Sequence, residues 1–145
     1  MKKRILVYAV LAAIILGGSA GLYMYYKPHK EYGQSTPDVT ATAREMLSAF
    51  ENDELKATDK FVADDKTVLV TGSLQEISSN EDGTMTLTLA DTGMEGSIIC
   101  RLAQSESAKW QSLQKGSTVR VKGQCTGLQE LLDKEVVMIR CVIVE

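Results

Sequence analysis

The sequence predicts a mainly β protein, a small five-stranded barrel behind a helical lead-in and an N-terminal transmembrane helix. Three observations carry this. An uncharged, mostly apolar run from Ile5 to Tyr26 follows Lys2-Lys3-Arg4. The second half of the chain holds five strand-like segments divided by turn signals. The first of these, Thr67 to Ile77, has Gly72 at its centre. A missing Cβ there permits the bend by which a long strand pairs with one neighbour early and another late, as small closed barrels require.

The run Ile5 to Tyr26, at about 1.5 Å per helical residue, reaches roughly 33 Å and so exceeds a bilayer core of about 30 Å. Tyr23, Tyr25 and Tyr26 suit an aromatic belt at its far end. The basic end should stay cytoplasmic, which places the remainder outside, at an inner (cell) membrane. Lys27 and Lys30 on the far side blunt that argument without reversing it. A cleaved signal peptide, processed near Gly18-Ser19-Ala20-Gly21, is the competing reading. The apolar run continues beyond those small residues, past the usual length of about 7–15 for a signal core. The first cysteine is Cys100, so an N-terminal lipid-modified cysteine is excluded.

These features divide the chain into a cytoplasmic end (1–4), an anchor (5–26), a linker (27–37), a helical lead-in (38–65) and a barrel (66–145). The linker, with Pro28, His29 and Gly33, shows no apolar periodicity. Thr36-Pro37-Asp38 reads as a helix start. Val39, Ala43, Met46, Leu47 and Phe50 then recur at helical spacing, and a second short helix with Leu55, Thr58, Phe61 and Val62 inward follows Asn52-Asp53-Glu54. An apolar stripe of this type is core rather than a cofactor site.

After Thr67–Ile77, Ser78 to Gly83 forms a hairpin turn and Thr84 to Ala90 alternates with period two. Gly96–Leu102 is the third strand. Ser105 to Leu113 has helical character, with Trp110 and Leu113 inward. Thr118 to Cys125 is the fourth strand. In the fifth, Glu135 to Val144, the residues Val137, Ile139, Cys141 and Ile143 share a face opposite Arg140. Three strands, a helix and two strands is the element order of an OB-fold, a five-stranded Greek-key barrel. A plain meander would not need the intervening helix.

Several stretches resemble the tRNA_anti-like family of bacterial OB-fold proteins, which are often membrane-anchored or lipoprotein-like. They are Met46-Leu47-Ser48-Ala49-Phe50-Glu51-Asn52-Asp53-Glu54, Val68-Leu69-Val70-Thr71-Gly72-Ser73-Leu74, Cys100-Arg101-Leu102 and Cys141-Val142-Ile143. The most specific is Lys115-Gly116 through Val121-Lys122-Gly123-Gln124-Cys125-Thr126-Gly127. The resemblance covers about residues 43–145. It departs at Leu102, where an aromatic is common, and at Ala63-Asp64-Asp65. It implies a fold and carries no activity.

Chemistry narrows the function. The single histidine, His29, lies in the linker, so the domain lacks the base of Ser-His-Asp or Cys-His catalysis. No phosphate loop, Cys-x-x-Cys pair or zincin helix occurs, and the carboxylates are scattered over turns. The reading is a non-enzyme with no cofactor and no metal. Residues 31–145 carry eleven Lys and Arg against all nineteen Asp and Glu, a net of −8. Nucleic-acid surfaces are usually basic, and single-strand binding needs aromatic platforms. The five predicted strands contain no Phe, Tyr or Trp.

Cys100, Cys125 and Cys141 fall in the inward phase of their strands and alone hold latent chemistry. All three suit a core as free thiols, but thiols outside the cytoplasm tend to oxidise. The last strand of an OB-fold lies between the third and fourth. A disulfide of Cys141 with Cys125, or with Cys100, is therefore expected beside the all-reduced alternative. Three cysteines without histidine make a weak zinc site.

The expected function is a membrane-anchored extracytoplasmic binding module. It contacts a protein, peptide or envelope glycan through loops such as Ser78–Gly83 and Thr126–Lys134. Oligonucleotide binding is the alternative, and a redox or metal module built on the cysteines is a third class.

Overall fold

A computed structural model describes residues 2–26, 32–106 and 108–144. Lys27, His29 and Lys30 of the expected linker lie outside the described residues. The chain divides into two compact units, 1–30 and 31–145. The first is a helix, α1 (Lys2–Tyr26), which passes through Gly17, Gly18 and Gly21 unbroken. Its window Val7–Tyr26 has a mean hydropathy of 1.8, long and apolar enough to cross a membrane. Apolar side chains are exposed along it, from Ile5 to Tyr26.

The second unit is mainly β and has six strands. In order they are β1 (Val39–Thr42), β2 (Val68–Ser79), β3 (Met85–Leu89), β4 (Gly96–Leu102), β5 (Thr118–Glu130) and β6 (Lys134–Val144). The helices α2 (Ala43–Asn52) and α3 (Glu54–Phe61) lie between β1 and β2. Neighbouring strands run β1-β2-β3-β4-β6-β5, and β2 pairs with β5 as well, so the pairings of β2 to β6 form a closed ring. The long β2 divides as its glycine suggests, with Val68–Ser73 against β5 and Leu74–Ser79 against β3. Gly72 sits beneath α2, where a Cβ would come within 2.8 Å of Ala43 Cβ.

The expected count of five strands is one short. Residues expected to open the first helix instead form β1, parallel to the start of β2. Asp38 does not cap a helix. Its carboxylate accepts the Thr67 amide at 2.7 Å, and its own amide donates to the Thr67 carbonyl at 2.8 Å. The cap falls to Thr42, which forms a capping box with Glu45. Two further expectations change. The helix expected over Ser105–Leu113 is a pair of 3-10 turns, Gln104–Glu106 and Lys109–Ser112, with Trp110 only half-buried. The expected loop Thr126–Lys134 is mostly strand. A register shift beside Gly127 (φ 117°) lets β5 resume pairing with β6 as far as Glu130 opposite Lys134, leaving only Leu131–Asp133 as the turn.

The inward face of β6 also differs. Val136, Val137 and Met138 are all buried before Arg140, the first and last of them in the main core, and Cys141 and Ile143 after it, whereas Ile139 is half-buried. Arg140 adopts φ 53° and the β5 pairing slips one residue there. A bulge inserts one residue and so exchanges the two faces of a period-two strand. Phe50 and Phe61, from α2 and α3, complete the core with rings stacked 5.9 Å apart.

Residues 32–35, assigned to the linker, are strapped onto the domain. Tyr32 is buried and donates its hydroxyl to Gln124 at 3.1 Å. Lys122 donates to the carbonyls of Gly33 and Ser35, both at 2.8 Å.

Candidate functional site

Three places bring together residues with chemistry to offer: the β2–β3 turn, the surface beside α2, and the buried thiols. The first is the expected loop Ser78–Gly83. Its tip lines a surface cavity of about 380 Å³ with Asn80, Glu81, Asp82, Thr84 and Arg101. The turn is internally braced. Asn80 donates to the Thr84 and Thr86 hydroxyls at 2.9 and 3.0 Å. Asp82 accepts from the Thr84 amide and hydroxyl at 2.9 and 2.6 Å, and these bonds hold its carboxyl below the usual carboxylate range.

The second place takes one wall from the expected contact segment Thr126–Lys134, whereas its α2 and α3 wall was not legible as a site in the sequence. A cavity of about 460 Å³ lies between α2, α3 and the β5–β6 hairpin, lined by Phe50, Glu51, Glu54, Leu128, Glu130 and Lys134. A smaller one of about 190 Å³ shares Glu51 and continues past Leu47 and Met94 to Glu95. Together they form a trough along α2 with a mainly polar lining and four carboxylates, Phe50 and Leu47 lying buried behind it. Lys134 bridges to Glu51 at 2.8 Å. That hydrogen bond and charge, with Glu130 and Glu95 beyond, raise the Lys134 ammonium above its ordinary value. Arg44, at the other end, donates to the Thr92 carbonyl. At the hairpin tip beside the trough, Leu131 is 91% and Leu132 100% exposed. Two leucines within the polar stretch Gln129 to Lys134 were the available signal.

The third place is the core. Cys100, Cys125 and Cys141 are all buried free thiols, as their strand phase predicts. Cys100 and Cys125 both lie opposite Met138, one on each neighbouring strand. Cys100 and Cys125 both act on the Cys141 thiol, and their influence adds to that of burial. Burial pushes the Cys125 thiol up to about 11 and Cys141 well above its ordinary value. Among the described residues, no group of three or more His, Cys, Asp or Glu could hold a metal ion.

The model of the family described as tRNA_anti-like matches residues 1–143. No curated protein matches the chain. Among solved structures, the chain is similar to a protein of Klebsiella pneumoniae subsp. pneumoniae called a "putative nucleic acid-binding lipoprotein". The TM-score is 0.58 at 20% identity, over 73% of this chain and 92% of that one. This likeness shows a shared fold. The Stn1-ten1 complex of S. pombe matches at a TM-score of 0.39 and 20% identity, over 55% of this chain and 58% of that one, too weakly to carry an argument.

Proposed function

The chain belongs to the tRNA_anti-like family, and on that footing we propose a membrane-anchored, non-catalytic OB-fold module held outside the cytoplasm. It contacts a protein, peptide or envelope glycan. The observation that carries the fold assignment is the ring β2-β3-β4-β6-β5, closed by β2–β5. Renumbered from β2, this is the 1-2-3-5-4 order of an OB-fold Greek key, with β1 added at its edge. The location rests on α1 and the basic residues at its N-terminal end.

Oligonucleotide binding is the second reading, favoured by the family's name and by the designation of the Klebsiella protein. Against it stands the −8 charge of residues 31–145, which phosphate backbones repel. Full-length protein in detergent is expected to pass through immobilised single-stranded DNA and RNA at low salt. Salt-dependent retention on either would overturn the first reading in favour of the second. A topology reporter fused after Glu145 is expected to report an extracytoplasmic position, and a cytoplasmic signal would remove the location.

In that compartment a disulfide of Cys141 with Cys125, or with Cys100, is the expected oxidised form. An oxidised dithiol protein accepts their two electrons while the two thiol protons leave. Denaturing alkylation of protein from oxidising conditions should then find one thiol, Cys100 or Cys125, and mass spectrometry the loss of two hydrogens. Three alkylatable thiols would exclude the bond. In the reduced native protein, about one Cys125 thiol in a thousand is ionised at pH 8, given its value of about 11. Its alkylation should therefore be slow until the domain unfolds.

A further inference from the structure

We propose that the trough along α2 binds a basic, extended segment of another protein, whose apolar residues meet Leu131 and Leu132. This rests on the reading of the domain as a binding module and names its partner's chemistry. Its lining supplies the argument. Glu51, Glu54, Glu130 and Glu95 outnumber Lys134 and Arg44. Both cations are already engaged, by Glu51 and by the Thr92 carbonyl. Phe50 and Leu47 close it from the core side but are buried, so the exposed apolar surface is that of Leu131 and Leu132 at its end. An extended peptide presents alternate side chains to opposite sides, so one set reaches the carboxylates while the other reaches an apolar surface.

Exposure of Leu131 and Leu132 at a turn offers no stability to the free protein, whereas burial against a partner removes apolar area from water. Membrane contact is a poorer fit. Glu130 and Asp133 flank the two leucines, and carboxylates there would face anionic headgroups. Nucleic acid would meet the same repulsion. A basic peptide meets neither, and negative potential along a groove also speeds its arrival.

The test uses the full chain in zwitterionic micelles and fluorescein-labelled peptides, with anisotropy read above empty micelles. One peptide alternates lysine with leucine, a second glutamate with leucine, and a third lysine with glycine. The lysine–leucine peptide should bind best. Combined Glu51→Gln, Glu54→Gln and Glu130→Gln should weaken it roughly tenfold, as three partly exposed charge contacts warrant. Leu131→Ser with Leu132→Ser should weaken it about fivefold or more, from the lost apolar burial. Both variants alter surface positions, and unchanged thermal melting would show that the fold is intact. Equal binding of all three peptides, or binding that ignores both variants, overturns the proposal. Leucine-dependent binding to phosphatidylglycerol vesicles without peptide binding also overturns it, in favour of membrane contact. In either case a photo-crosslinker at Glu81 that still captured a protein in cells would leave the broader reading standing. Retention on nucleic acid, as above, would remove that reading itself.

Discussion

Phe61→Ala is expected to lower the stability of the domain by about 4 kcal/mol, the typical cost of removing a fully buried aromatic. Phe61 has no exposed surface and stacks on Phe50 across the α2–α3 junction. The loss combines the transfer of a ring to water with a cavity that the ring of β-strand pairings cannot collapse to fill. For a domain whose whole stability is of order 5–15 kcal/mol, this is a large share. Urea unfolding of the full chain, followed by the fluorescence of Trp110, the single tryptophan, measures it. Leu55→Ala, nearly two turns earlier on α3 and 81% exposed where its spacing suggested an inward position, should stay within about 0.5 kcal/mol of the parent. Equal effects at the two positions would mean that α3 does not pack as described.

Gly123→Ala is the second large effect, roughly 3 kcal/mol of destabilisation by overpacking. A Cβ at residue 123 would lie 2.8 Å from Cys141 Sγ, 2.9 Å from the Ile139 carbonyl oxygen and 3.2 Å from Cys141 Cα. Two of those three neighbours are backbone, held in place by the Arg140 bulge, so no rotamer change relieves them. Gly33→Ala is the matched control, since its Cβ would meet only Val142 at 3.7 Å, an ordinary contact. Adding Cys141→Ala to Gly123→Ala removes the sulfur but leaves the carbonyl. The pair should therefore be less destabilising than the sum of the singles. Strict additivity would show that the clash with sulfur is not what limits the site.

Most of the β framework could be read from period-two alternation and turns, and Gly96–Leu102 has the bounds the sequence suggests. What could not be read depends on contacts distant in sequence. Val39 satisfies a helical stripe and a strand equally. The choice is made by Asp38, which spends its carboxylate on the Thr67 amide twenty-nine residues away. The phase of β6 was misjudged because alternation assumes no inserted residue, and arginine carries no signal for the left-handed backbone it adopts at 140. The alternation of the fourth strand stops at Cys125, and Gly127 just beyond it reads as loop, although a glycine can equally mark a bulge within a strand. The thiol cluster was legible because three inward phases on adjacent strands must converge. The trough was legible only in its wall from Thr126–Lys134, because its other carboxylates come from α2, α3 and the β3–β4 turn and read as ordinary solvated charges one at a time.

The strap over residues 32–35 has a mechanical meaning. Any tension arriving along the backbone from residue 31 enters the domain at Tyr32, ahead of every strand. It meets the Tyr32–Gln124 bond and the two Lys122 bonds first. These act as a latch in series with the ring of strands. A pull on the tether is borne by side-chain bonds that can re-form before it reaches the ladder between β2 and β5.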